Sequence, residues 1–276
     1  SKFRTIPGCL GVYDILGSKH SVAEIEEIIV ESNTLSKKDY IECRTMNLLV
    51  TTFYNNSIFE EIFVMLRSMG VSSFDCLVYI KEHPELYSEK IKKIISDFVF
   101  ETTEDLYDNW DEANSFVLSP DVIAKYIGGD MGTNELLLSH AKLFNEFEDI
   151  NNLIFQSVKG YLKNKNLLNE EIENYLIDLR KFISLRKKDP LNNTEAVKSA
   201  MLKFDFEAIT KDQYKIDPKS LPKLEKPLQY NFFHDKEQQK YINNQRKVYL
   251  NQAIGLGKLL QQSNMKRIFR NFQRAT

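Results

Sequence analysis

Apolar residues recur at three- and four-residue spacing through most of this chain and alternate with polar ones only in its last third, so the pattern predicts helices first and strands late. Residues 1–20 carry Pro7, Gly8, Gly11 and Gly17 and read as loop with at most a short strand. Between Ala23 and Ser32, Ile25, Ile28 and Ile29 fit a helix, whereas the β-branched run Ile28, Ile29, Val30 fits a short strand; spacing leaves both open. Ser36, with Asp39 three positions on, reads as the cap of a helix carrying Tyr40, Cys43, Met46, Val50 and Phe53 on one stripe. Asn55-Asn56 breaks it, and Ile58, Phe59, Ile62, Phe63 and Leu66 form a second, antiparallel helix ending at Gly70. Further helices are expected over Phe74–Glu82, stopped by Pro84, and over Ser88–Tyr107, with Ile91, Ile94, Ile95, Phe98 and Val99 inward.

Segment 108–135 is broken more finely, with Pro120 opening a helix through Tyr126 and GGDMGTN ending it. Asn134–Lys163 and Asn169–Arg186 continue as amphipathic helices. The polar run RKKDPLNNTE at 186–195 is the best internal boundary. Beyond it Ala200–Ile209 alternates, placing Leu202, Phe204 and Phe206 on one strand face, with Leu228–Phe233 as partner strand and a helical tail from Lys236 to Arg270. The expected fold is mainly α: an extended segment over 1–35, a helical bundle over 36–190, and a small α+β part over 191–276 made of a two-stranded ribbon and a carboxy-terminal helix.

Composition narrows the function classes without choosing one. In 276 residues, 42% are hydrophobic and 28% charged, values ordinary for a globular protein that buries a large core. A formal net charge of −2 gives no global attraction to nucleic acid or an anionic membrane. No apolar run approaches the roughly 20 residues that span a bilayer. Three unpaired-looking cysteines fit a reducing compartment, so a cytoplasmic protein is expected, with neither nucleic acid nor membrane as partner.

Candidate chemistry is sparse. Gly128, Gly129, Asp130, Gly132 and Asn134 form a glycine-rich loop whose amides suit an anion, but it lacks the lysine and spacing of a P-loop, and Asp130 would repel phosphate. A helix-to-helix turn explains it as well. Glu24, Glu26, Glu27 and Glu31 crowd one segment with nothing to hold them at metal-ligand distance, and His20, His83, His140 and His234 are scattered. Cys43 falls on the apolar stripe of its helix and reads as a small packed hydrophobe. Arg44 leaves that stripe, free to pair with an acid such as Glu27 or with a substrate carboxylate or phosphate. The basic end, with Lys258, Lys266, Arg267, Arg270 and Arg274 around Phe269 and Phe272, could track a nucleic acid; the reading preferred is cations complementing a helix's negative end.

The stretch Tyr13–Glu61, YDILGSKHSVAEIEEIIVESNTLSKKDYIECRTMNLLVTTFYNNSIFEE, resembles the segment just downstream of the catalytic barrel in radical S-adenosylmethionine enzymes, particularly those with an amino-terminal cobalamin-binding domain. The resemblance is strongest over residues 5–61, weaker through the middle, and returns in KYINNQRKVYLNQAIGLGKLLQQSNMKRIFR. A glycine-acid-glycine-asparagine turn comparable to GGDMGTN belongs to the same family. It implies an extended exit from a barrel, favouring a strand at Ile28–Val30. It also implies a parent protein using S-adenosylmethionine, a 4Fe-4S cluster and, in some members, cobalamin. The CxxxCxxC loop that holds such a cluster is absent here, where Cys9, Cys43 and Cys76 stand far apart. The expectation is therefore a chain with no cofactor or catalytic residue of its own, closing the substrate site of a barrel in the same protein, with Glu27 and Arg44 facing the substrate. A stand-alone helical protein-interaction module is the alternative.

Overall fold

The computed structural model describes residues 1–128, 134–217, 220–250 and 254–275, apart from the side chains of 7–10 and 126–128. The chain is mainly helical with two small antiparallel sheets. It opens with a long hairpin of β1 (Lys2–Ile15) and β2 (Ser18–Ile28), where loop or a strand at Ile28–Val30 was expected. The turn is the pair Leu16-Gly17, both at positive φ (53° and 82°), and the Gly17 amide donates to Asp14 Oδ1 at 3.0 Å. Such a two-residue turn matches the twist of its strands. Periodicity missed the hairpin because its outer half has no buried face: every residue from Tyr13 to Val22 is exposed, so nothing forces apolar and polar positions to alternate.

Among the described residues, seven helices and three irregular turns follow, from α1 (Lys37–Leu49) to α7 (Glu135–Asn145). Ser36 caps α1 as expected, accepting from the Asp39 amide while Asp39 reaches back to Ser36. The helix runs into a π-turn, Val50–Tyr54, and a 3-10 turn in which Asn56 adopts φ 61°. The face that α1 buries runs through Leu48 and Leu49 rather than Cys43, which is exposed, correcting its packed reading, and Phe53 is buried in the π-turn beyond. α2 (Glu60–Ser68) closes at Gly70, φ 71°, with the Val71 amide donating to the Leu66 carbonyl at 2.9 Å. α3 (Ser73–Glu82), α4 (Glu89–Glu104, capped by Ser88), α5 (Trp110–Val117) and α6 (Pro120–Gly128) complete this half. The single helix expected over Asn134–Lys163 is two, α7 and α8 (Phe147–Asn164), kinked at Glu146.

α9 (Glu170–Lys187) leads into the second sheet. β3 (Lys198–Phe204) buries Ala200, Leu202 and Phe204 in strict alternation. The strand ends there because the Asp205 carboxylate accepts from the Glu207 and Ala208 amides and starts α10 (Phe206–Lys211); Phe206 enters the core from a helix, not from the strand. β4 (Lys223–Phe233) pairs with β3 and, on its other side, with β5 (Asn271–Arg274), so the expected ribbon is a three-stranded sheet. The tail is α11 (Lys236–Tyr249), α12 (Gly255–Gln262) and a 3-10 turn at Met265–Arg267 before β5.

One buried apolar cluster runs from Leu48 to Phe269 and crosses residues 186–195 without a break. Polar groups stitch that crossing. Arg270, 1% exposed, donates to the carbonyls of Leu185, Lys188 and Asp189, and thereby caps the carboxy-terminal end of α9. A cation does serve a helix's negative end here, but from the strand-bearing tail and across the core. Beside it the Lys187 ammonium, 2% exposed, donates to Glu61 Oε2 at 2.6 Å and to the carbonyls of Ser57 and Ile58, with its charge over the Phe269 ring. Among the described residues no single helix is long and apolar enough to cross a membrane.

Candidate functional site

The hairpin projects as an arm, and a charged cluster gathers at its foot. β1 is tied to the body by the Phe3–Tyr107 backbone pair, with amide-to-carbonyl distances of 2.9 and 2.8 Å, and by Lys2 on Asp108. One step along, Arg4 Nε donates to Glu26 Oε1 of β2 at 2.7 Å. Arg4 also lies within electrostatic reach of Glu135 and Tyr40. Arg44, from α1, pairs with Glu135, the first residue of α7, and its guanidinium stands 5.8 Å from the centre of the Phe98 ring of α4. Asp105, which ends α4, completes the group, with Glu101 and Glu104 of the same helix behind it.

The electrostatics follow from this crowding. Burial, with the charges of Glu135 and Glu101, pushes the Asp105 carboxyl up to about 6, and Arg4 only partly offsets it. Asp105 is thus a carboxyl whose proton is held more tightly than usual, with the Arg4 guanidinium near enough to oppose the shift. Such a group can donate or accept a proton, or turn a hydrogen-bonding edge to an anionic ligand. Glu135 is only 8% exposed and depends on Arg44 for its charge balance.

The residues singled out from sequence land unevenly around this cluster. Arg44 is in it, but its partner is Glu135 rather than Glu27. Glu27 lies on the exposed side of β2 and accepts from Ser1 Oγ at 2.6 Å. Gly128 ends α6, Asn134 caps α7 by accepting from the Leu137 amide at 3.0 Å, and Gly129, Asp130 and Gly132 fall outside the described residues. Arg4, Asp105 and Glu135 went unnoticed. Glu135 follows the capping asparagine directly, which was a usable signal; Arg4 reaches Asp105 from a hairpin that periodicity did not reveal.

Other polar features serve the fold. His140, fully buried on α7, has Nδ1 at 3.3 Å from Thr52 Oγ1, and burial pushes it down to about 4, so it stays neutral. Burial pushes the Cys76 thiol up to about 12, the opposite of a reactive cysteine. Among the described residues no three His, Cys, Asp or Glu side chains gather as a metal-holding group. A cleft of about 540 Å³ opens at the start of α8, bordered by Glu146, Glu148, Asp149, Lys90, Lys188 and Leu191. Its charges are largely spent on one another, Lys90 on Glu146 at 2.7 Å and Lys188 on Glu148 at 3.2 Å. No protein-family model matches the chain, and no curated protein matches it significantly.

Proposed function

We propose that this chain is a companion domain of a radical S-adenosylmethionine barrel, presenting the cluster at the foot of the arm to the barrel's substrate side. The observation that carries the reading is a convergence. Glu26 and Arg44 come from the resembling stretch, Glu135 from the residue after the glycine-rich turn, and Arg4 from just before the stretch; although far apart in sequence, they come together in one part-buried cluster with Asp105. In this reading the domain limits solvent access to the barrel, and Arg44 and Asp105 help orient an anionic or hydrogen-bonding substrate group. The cluster chemistry, S-adenosylmethionine and any cobalamin belong to the barrel, and no step is assigned to them here. The reading frame upstream of Ser1 provides the first test, a CxxxCxxC loop being the expected result. In the protein carrying that barrel, Arg44→Ala and Asp105→Asn should lower substrate turnover at least tenfold with the fold intact. Stoichiometric 4Fe-4S binding by this chain alone, reconstituted anaerobically with iron and sulfide, would overturn its non-catalytic role.

A further inference from the structure

The outer half of the arm shows a second feature, independent of the companion-domain reading because it involves only this chain's own strand. Pairing alternates along the hairpin. Next to a two-residue turn, Ile15/Ser18, Tyr13/His20 and Gly11/Val22 are the hydrogen-bonded pairs, so Lys19, Ser21 and Ala23 turn their amides and carbonyls outward. Among the described residues, none of these outward groups has a backbone partner. Val22 (42% exposed), Tyr13 (56%) and Ile15 (52%) lie together on one face of the ribbon. The Tyr13 ring lies along Gly11, where an added Cβ would come within 3.2 Å of it. An open edge and an apolar face on a lone two-stranded ribbon is an arrangement that a further strand completes.

The charge order along β2 selects the occupant. Lys19 and His20 stand near the turn, and Glu24, Glu26 and Glu27 toward the foot. Charges on an edge strand ordinarily repel another sheet. Here the order reverses along the strand, so an antiparallel copy of the same strand centred on Val22 sets His20 directly opposite Glu24 at both ends, on the face that carries Tyr13 and Ile15, and places Lys19 diagonal to Glu27 on the other face. We propose that two copies of this chain associate through β2 about a twofold axis near Val22, forming a continuous four-stranded antiparallel sheet, β1-β2-β2-β1. The interface is isologous and closed, which limits the assembly to two chains.

Sedimentation equilibrium across a micromolar to submillimolar concentration series tests this. The expected mass rises from one chain to two and no further, with weaker association at high salt. Ser21→Pro removes an outward amide that β1 does not use, so it should hold the protein at one chain with unchanged circular dichroism and melting temperature. His20→Glu, which sets two carboxylates opposite each other, should weaken association at least tenfold, and His20→Glu with Glu24→Lys should restore it, because the swapped groups are again complementary across the axis. One chain at every concentration, growth beyond two, or a dimer indifferent to Ser21→Pro would overturn the proposal.

Discussion

Replacing Lys187 with methionine should be among the most damaging changes in this chain. The ammonium is 2% exposed and donates three hydrogen bonds, to Glu61 Oε2 at 2.6 Å, the Ser57 carbonyl at 2.7 Å and the Ile58 carbonyl at 2.9 Å. Methionine preserves the volume and removes the charge. Glu61, 1% exposed, would then keep only Arg186, whose Nη1 is 3.6 Å away. Stranding one member of a buried ion pair costs about 3–5 kcal/mol. That corresponds to a fall of about 5–9 °C in melting temperature for a chain of this size. Adding Glu61→Leu removes the stranded carboxylate and leaves the unpaired carbonyls, so the double variant should lose about 1–3 kcal/mol. Urea unfolding of the parent, both single variants and the double gives the coupling directly. A Lys187→Met protein within about 1 kcal/mol of the parent, or a double no more stable than the single, would refute the reasoning. pH adds a sign. Burial pulls the Lys187 ammonium down to about 8 against the opposing pull of Glu61, so between about 8 and the ordinary 10.5 the unfolded chain binds more protons. The contribution of Lys187 to stability therefore rises with pH in that window, and Lys187→Met should lack the rise.

Asp105 has the opposite sign: its folded value of about 6 exceeds its unfolded one, so its contribution is full in acid and is lost as pH rises through 6. Asp105→Asn, which mimics the protonated form, should therefore gain stability relative to the parent between pH 4 and 7 in paired urea titrations; a constant difference would contradict this. His140, pushed down to about 4, should destabilise the fold as pH falls from the ordinary 6.5 toward 4, and a variant carrying Gln there should unfold less steeply over that range. Gly257→Ala should cost about 1–3 kcal/mol or more, since its Cβ would run into the backbone carbonyl of Leu137, whereas Gly160→Ala meets the movable Tyr79 hydroxyl and should cost less; thermal melts of the two variants should rank them so.

How much of this was legible in the sequence depended on whether the causes were local. Ser36, Ser88 and Asn169 cap helices where the pattern placed them, since a side chain meeting an amide three residues on is a sequence-local event. The alternation of β3 was equally readable up to Phe204, and went astray only where Asp205 turned the chain into a helix. The arm was not legible, for it buries neither face over its outer half and turns on Leu16-Gly17 rather than an Asn-Gly pair. β5 has four residues and takes its place from β4 and the buried Arg270, none of which spacing reveals. The cluster was half legible. Arg44 stood out by leaving its helix stripe, but Asp105 and Arg4 acquire their roles only when the foot of the arm brings Arg4 within electrostatic reach of Tyr40, Glu135 and Asp105.

The central claim is that the foot of the arm faces a catalytic barrel. Hydrogen–deuterium exchange compares this chain alone with the same chain within the protein encoded by its whole gene. The account predicts that amides around Arg4, Glu26, Arg44 and Asp105 exchange more slowly in the larger protein, while those at the cleft by Glu148 do not change. Equal exchange at the foot of the arm in both proteins would contradict it.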